Sequence, residues 1–369
     1  MKYDLNNSLF SKATRTFVIA EAGSNHDGSF EQAKKLIDIA VDCGADAVKF
    51  QVFKAEKLYH KNVGMIDVPG GKIDFFDFLK KMEMSIKWIP ELKRYCDERN
   101  IEFLFSVFDI ESVELIKKYN INSIKIASPE LNYVQLFEEA AKLNKPIIFS
   151  TGISKLADIE NSIEVIEKYH SNYAILHCIT AYPANDNQCN LNIIKTLKQC
   201  FEHPVGLSDH TMNFKYVPAL AVALGASIIE KHFTIDRTLS GPDHKFALEP
   251  KELKVMIDEI RKVEKMSDKE KEDYIQKTPN SKTILGNCRK IITKDEEILY
   301  KCDRRSIISI RDIEAGEKIT LDNVAVLRAE RNIVPGLEPK FLNIILNKNV
   351  NRKICSGRGI TWEDILNSI

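Results

Sequence analysis

No CxxC pair and no zinc-type spacing of cysteine and histidine occurs in the chain. Its eight cysteines (Cys43, Cys96, Cys178, Cys189, Cys200, Cys288, Cys302, Cys355) are scattered, which excludes a structural zinc module and reads as reduced thiols of a cytoplasmic protein. Net charge is missing too. Lys+Arg and Asp+Glu balance at 53 each, so composition offers no footing for nucleic acid or membrane, and an anionic small molecule would need a local basic pocket. The longest apolar run, near 216–229, is too short to span a bilayer, and the polar stretch Met1–Thr16 lacks the apolar core of a signal peptide. Nor does a Gly-rich dinucleotide fingerprint follow the first strand-like run. The turn there reads Glu21-Ala22-Gly23-Ser24-Asn25-His26-Asp27-Gly28, which removes the main support for a dinucleotide-binding open sheet.

What the chain does have is 369 residues, 44% of them hydrophobic, enough for one large domain and a small one. Apolar, β-branched runs of strand length alternate with amphipathic stretches of helix length. The runs are Phe17–Ala22, Ala47–Phe53, Ile101–Phe108, Ser123–Ala127, Pro146–Ser150, Tyr173–Ile179, Pro204–Leu207 and Ser227–Phe233. Eight βα units in about 250 residues predict a (β/α)8 TIM barrel over 1–266, with a doubly wound open sheet as the runner-up. Residues 267–300 turn polar and charged, with Pro279 inside them, and read as a linker. From Lys301 to Ile369, short β-branched runs such as Ser306–Ile310 and Val324–Leu327, separated by turns, predict a small, mostly β domain.

In a barrel of this kind, polar residues at strand C-termini are the candidates for chemistry. His210 and His232 stand 22 positions apart at the ends of successive runs, so both imidazoles face one cavity and could share a metal ion, although either could be a core histidine. Lys49 and Lys125 sit inside apolar strands, in Val48-Lys49-Phe50 and Ile124-Lys125-Ile126. A buried ammonium needs an anion, so each calls for a carboxylate such as Glu21 or for a bound anionic substrate. Ser106, Ser128, Ser150 and Ser208 recur at strand ends, where hydroxyls bind phosphate or carboxylate oxygens or simply cap a turn. Gln51, His177, Tyr182 and Glu230 complete the polar rim, and Asp243-His244 lies in a long loop after the last strand.

These phrases together resemble the sialic acid (N-acetylneuraminate) synthase family. They are Ile19-Ala20-Glu21-Ala22-Gly23-Ser24-Asn25-His26-Asp27-Gly28, Val48-Lys49-Phe50-Gln51, Lys125-Ile126-Ala127-Ser128, Ser150-Thr151-Gly152, His177-Cys178 with Tyr182-Pro183, Gly206-Leu207-Ser208-Asp209-His210-Thr211, Glu230-Lys231-His232-Phe233-Thr234 and Gly241-Pro242-Asp243-His244. Arg304-Arg305-Ser306 and the turn at Gly316 resemble that family's C-terminal antifreeze-like SAF domain. The resemblance runs in order along nearly the whole chain. It implies condensation of phosphoenolpyruvate with the open-chain aldehyde of an N-acetylated hexosamine, giving a nine-carbon 2-keto-3-deoxy acid and phosphate.

On that resemblance His210 and His232 bind a divalent ion, Mn²⁺ foremost, with Mg²⁺ or Co²⁺ as alternatives. Lys49 and Lys125 hold phosphoenolpyruvate, helped by Ser106, Ser128, Ser150 and Ser208, and Glu21 moves a proton. Gln51, Thr180, Tyr182 and Asp243 meet the sugar, and the protein is a domain-swapped homodimer in which Arg328 reaches the partner's sugar site. Three departures from the family pattern sit at the sugar end. Arg328 is followed by Ala329-Glu330 where Pro-Gly is common, Thr180 replaces an asparagine, and Ser106-Val107 replaces Thr-Pro. They lean towards a modified sugar of the kind used by legionaminic and pseudaminic acid synthases.

Two other readings compete, a barrel aldolase that forms an imine on one lysine and a catalytically silent sugar-binding relative. Borohydride treatment in the presence of a keto acid separates the first. We expect no covalent adduct by mass spectrometry, and a stable adduct on Lys49 or Lys125 would establish the imine route.

Overall fold

The computed structural model describes residues 15–68 and 71–366. The reading of the polar N-terminal stretch falls outside the described residues, apart from Arg15 and Thr16. In chain order the strands are β1 (Phe17–Gly23), β2 (Ala47–Val52), β3 (Met65–Val68), β4 (Gly71–Asp74), β5 (Glu102–Val107), β6 (Ile124–Ile126), β7 (Ile147–Ser150), β8 (Tyr173–Cys178), β9 (Val205–Asp209), β10 (Ile228–His232), β11 (Arg305–Ser309) and β12 (Val324–Arg328). Eight of them close into a barrel, β1-β2-β5-β6-β7-β8-β9-β10. They are parallel throughout, as in the register Lys49↔Leu104 and Leu176↔Gly206, and fall on the eight runs read from the sequence.

Alternation along each strand divides the barrel into two cores. Ile19, Ala47, Leu104, Ile148, Ala174, Leu176 and Ile228 point inward and plug the interior. Residues of the other parity, among them Val18, Ala20, Val48, Phe50, Phe103 and Phe105, pack outward against the helices. One inward position further along, the plug gives way to Glu21, Lys49, Ser106, Ser150, Cys178 and Glu230. At Gly206 the interior is too tight for a side chain, since a Cβ there would lie 2.3 Å from the Ile228 carbonyl oxygen.

Between β2 and β5 the chain makes an antiparallel hairpin, β3–β4, and then a helix, Phe75–Met82, whose N-cap Asp74 accepts from the Asp77 N–H at 3.0 Å. Residues 267–300 hold the helices Asp268–Lys277 and Ser281–Leu285. Their polar composition reflects one-sided packing: Tyr274, Ile275 and Ile284 meet the barrel's outer core while the remaining face is solvated. The small domain pairs β11 with β12 antiparallel, in register Arg305↔Arg328, and isolated bridges such as Ile313↔Ile354 and Lys318↔Asn349 hold the rest.

One carboxylate docks that domain on the barrel of the same chain. Glu130, fully buried after β6, receives Arg305 at 3.1 Å and Arg328 at 2.8 Å. Arg305 also donates to the carbonyls of Phe108 at 2.6 Å and Val326 at 3.2 Å, so its guanidinium joins barrel loop and small domain. Removing the carboxylate would leave Arg305 without its ion pair and Arg328 with Asp303 alone, at 3.4 Å. Glu130→Ala is therefore expected to destabilise the chain by about 3–5 kcal/mol, read from the urea midpoint, and an unchanged midpoint would mean that the arginines find other acceptors.

Candidate active site

The inward parity that ends the plug raises a ring of charge at the barrel mouth. Register places Glu21 beside Lys49 and His232, Ser106 beside Gln51 and Lys125, and Ser208 beside Glu230 and Cys178. Lys49 Nζ lies 2.5 Å from Glu21 and 3.6 Å from Glu230, and donates to Ser106 Oγ at 2.8 Å. Lys125 Nζ donates to Ser150 Oγ at 2.8 Å and stands 3.5 Å from Glu230, whose other neighbour is the Ser208 hydroxyl at 2.9 Å. Gln51 donates to the second Glu21 oxygen at 3.1 Å.

The four charges are not equally held. Burial pushes the Glu230 carboxyl up, but Lys125, Lys49 and the Ser208 hydroxyl overcome it and hold it at about 2. For Glu21 burial wins over Lys49, and Glu230 adds to it, so this carboxyl is raised and takes up a proton more readily. Lys125 is pulled down by burial that Glu230 offsets only in part, whereas Lys49, equally buried, is raised because Glu21 and Glu230 flank it. Two ammonium groups thus share one firmly ionised carboxylate, Glu230, and a second, Glu21, that is less firmly held, an arrangement open to a bound anion.

Opposite the lysines stand the two imidazoles, ring centroids 5.6 Å apart. His210 donates from Nδ1 to the Ile179 carbonyl at 2.8 Å, which fixes the tautomer and leaves the Nε2 lone pair for a ligand. Among the described residues His232 Nδ1 is buried without a hydrogen-bond partner, 3.8 Å from Asp243. Two imidazoles, which ligate in their neutral form, fit a borderline divalent cation, and most of its coordination sphere would be left to water and substrate. Asp243 is raised to about 7 by burial, with Glu21 adding to it. Tyr182 lies over His210 with its ring tilted by 32°, ring centroids 4.2 Å apart.

All these residues line a single cavity of about 310 Å³: Glu21, Lys49, Gln51, Ser106, Lys125, Ser128, Ser150, Thr180, Tyr182, Ser208, His210, His232, Asp243 and Arg328. Arg328 reaches it from the small domain of the same chain. Ser128 accepts from the Gly152 N–H at 2.9 Å, and a Cβ at Gly152 would strike Thr180 Oγ1 at 2.0 Å, so position 152 has room for no side chain. Two rim histidines turn elsewhere. His177 has outward parity and donates to the Cys189 carbonyl at 2.7 Å, and His244 bonds Thr234 and Asp27, bracing the loop that carries Asp243.

The sequence reading passed over Cys178, Asp303, Glu330 and Phe108, which also line the cavity. It also missed Glu296. That carboxylate, fully buried, accepts from the backbone N–H of Ile153 at 2.8 Å and of Thr180 at 2.9 Å, tying the loops after β7 and β8. Its signal was there in Thr293-Lys294-Asp295-Glu296, a capping box inside a polar segment.

With the geometry in hand, residues 36–272 match the NeuB family and residues 304–366 the SAF domain. The chain is similar to the spore coat polysaccharide biosynthesis protein SpsE of Bacillus subtilis, 40% identical over 99% of this chain and 97% of that one. The crystal structure of SpsE superposes with a TM-score of 0.85 over 100% of this chain and 99% of SpsE. The chain is also similar to N,N'-diacetyllegionaminic acid synthase of Campylobacter jejuni, 37% identical over 91% of this chain and 97% of that one. Among solved structures, the N-acetylneuraminic acid synthetase of Leptospira borgpetersenii is 34% identical, with a TM-score of 0.62 over 71% of this chain and 92% of that one.

The Glu230 carboxyl titrates at about 2 in the folded chain against an ordinary 4.5, so its stabilisation is complete above pH 4.5 and is lost as the pH falls towards 2. Glu230→Gln is expected to lower the denaturation midpoint at pH 7 and to show a shallower fall in stability across that acid window. An acid limb as steep as that of the wild type would place the titrating group elsewhere.

Proposed function

The chain belongs to the NeuB family and ends in a SAF domain, and from that footing we propose that it condenses phosphoenolpyruvate with the aldehyde of an N-acetylated hexosamine and water. The products are a nine-carbon 2-keto-3-deoxy acid and inorganic phosphate. The acceptor is N-acetylmannosamine or a 2,4-diacetamido-trideoxyhexose, and relatives named for legionaminic and pseudaminic acid synthesis support that range. The observation that carries the reading is the placement of two buried lysines and two histidines around one cavity, each pair on its own arc of the rim.

Lys49 and Lys125 hold the carboxylate and phosphate of phosphoenolpyruvate, and Ser106, Ser128, Ser150 and Ser208 offer hydroxyls to the same oxygens. Gln51, Thr180, Tyr182 and Asp243 orient the sugar so that its carbonyl carbon meets C3 of phosphoenolpyruvate. A divalent cation held by His210 and His232, Mn²⁺ foremost, would supply Lewis-acid polarisation of the aldehyde oxygen. As the new C–C bond forms, the alkoxide takes a proton and C2 becomes cationic. Water adds at C2 and gives up a proton, for which Glu21 beside Lys49 is placed. The tetrahedral adduct then expels phosphate and leaves the ketone. Holding both reactants and the water on one rim supplies on the order of 7–11 kcal/mol in favourable cases.

Arg328 closes the sugar end through its pairing with Glu130. The working form is a homodimer, and small domains exchanged between its two barrels would make the same Arg328–Glu130 pair across the interface. Eight free thiols suit a cytoplasmic setting, and among the described residues no helix is long and apolar enough to cross a membrane.

Phosphate release from phosphoenolpyruvate is expected only when an N-acetylated acceptor is present. It should be lost on chelation and restored by Mn²⁺, and Lys125→Met should lower kcat/KM for phosphoenolpyruvate by about 10²-fold or more. The absence of release with every acceptor of the two classes would overturn the reading.

A further inference from the structure

One buried residue near the rim holds a backbone conformation that its own side chain opposes. Ile153, in the loop after β7, has a φ of +41°, inside the left-handed region that β-branched residues avoid because Cβ crowds the backbone there. The other described non-glycine residues in that region are Asn, Asp, Glu and Arg. Such a turn persists only where its surroundings over-determine it. What holds it is Glu296, whose Oε1 takes the Ile153 N–H at 2.8 Å and the Thr180 N–H at 2.9 Å. Oε2 takes the Thr293 N–H at 3.1 Å and the Thr293 hydroxyl at 3.0 Å, so each oxygen carries two donors.

The second pair is a local cap, and the first is something more. At Thr361-Trp362-Glu363-Asp364 the same capping box closes with an aspartate, which takes the Thr361 N–H and hydroxyl, both at 2.8 Å. A cap alone therefore needs no glutamate at 296. The extra methylene carries Oε1 on to the barrel loops, and those loops bear groups assigned to substrate. Ser150 Oγ accepts from Lys125 at 2.8 Å, and the Gly152 N–H donates to Ser128 Oγ at 2.9 Å. A Cβ on Gly152 would lie 2.0 Å from Thr180 Oγ1, so the loops after β7 and β8 meet there and neither shifts alone. Glu296 itself stands behind the cavity lining. It is also the foremost charge opposing the effect of burial on Lys290, whose ammonium has no hydrogen-bond partner among the described residues.

On the reading of the preceding section, we propose that Glu296 is a positioning residue for phosphoenolpyruvate. It holds the left-handed turn at Ile153, and through that turn the Ser150 hydroxyl, the Gly152 N–H and Ser128, without touching the substrate. The segment that carries it runs on to Arg305, docked on Glu130, so this end of the cavity is shaped from the connection to the small domain.

The test titrates the full-length protein with phosphoenolpyruvate by calorimetry, with Mn²⁺ present and no acceptor, beside phosphate release with acceptor. Glu296→Asp keeps the charge and the local cap but draws the carboxylate back from the loops, and should weaken phosphoenolpyruvate binding about tenfold. Glu296→Gln, which keeps the reach but sets its amide against two N–H donors whichever way it turns, is the second variant and should weaken binding too. Ile153→Gly removes the crowding Cβ, so the turn no longer has to be held, and alone it should bind within about twofold of the wild type. In the Glu296→Asp background it should recover affinity about fivefold while the urea midpoint falls further, because a buried side chain is gone. A role in stability alone would not separate the two readings. Equal affinity of the wild type and both Glu296 variants overturns the inference, as does a double variant whose affinity falls along with its midpoint. A wild type that binds phosphoenolpyruvate but releases no phosphate with any acceptor removes the synthase reading and leaves the positioning role standing on the binding series. A wild type that binds no phosphoenolpyruvate overturns both.

Discussion

Two ammonium groups stripped of water at the mouth of the barrel set the terms for much of what surrounds them. Desolvating each costs several kcal/mol unless charge and hydrogen bonds are returned to it, so Lys49 and Lys125 oblige Glu21, Glu230, Ser106 and Ser150 to stand where they do. Strand parity makes that possible. One inward position earlier the same strands carry Ile19, Ala47 and Ile148, so the polar layer rests on a dry floor that holds its side chains in place. The unequal grip on the two carboxylates follows from position. Glu230 lies between both lysines, whereas Glu21 has Lys49 on one side and Gln51 on the other.

The small domain answers to a similar rule at its own scale. Two arginines from β11 and β12 converge on one barrel carboxylate, and beside them the Tyr59 hydroxyl lies 3.1 Å from Asp303 and 2.9 Å from Glu330, with its one proton to give to either. Asp303 is raised to about 7 by burial despite Arg328. The docking surface thus sets buried ion pairs beside an apolar patch, in which Ile308, Leu327, Ala329 and Ile333 pack with Phe53, Leu58, Val63 and Phe108. The ion pairs fix the angle at which Arg328 meets the cavity more narrowly than the apolar patch alone would.

Much of this was legible before any coordinates. The eight strands announce themselves because parallel strands covered on both faces must be apolar throughout, and the exceptions, Lys49, Lys125, Ser208 and Glu230, mark the inward positions above the plug. The histidine pair follows from one helix-length crossover. Other features were silent for physical reasons. The β3–β4 hairpin and the helix Phe75–Met82 lie in an excursion between β2 and β5, where no crossover pattern constrains them. Residues 267–300 look like a tether because their helices are apolar on one narrow face only. His177 and Asp209, neighbours in sequence of cavity residues, point outward, and only the register tells them apart from Cys178 and His210.

The carboxylate at Glu296 has a consequence for how the enzyme is made. It supplies the acceptor for the N–H groups of Ile153 and Thr180, on loops synthesised more than a hundred residues earlier. While the chain emerges from the ribosome, all eight barrel strands are available well before that acceptor exists. The rim beside Ser150 and Thr180 therefore closes late, and a nascent barrel already folded through β10 would still be without its finished pocket.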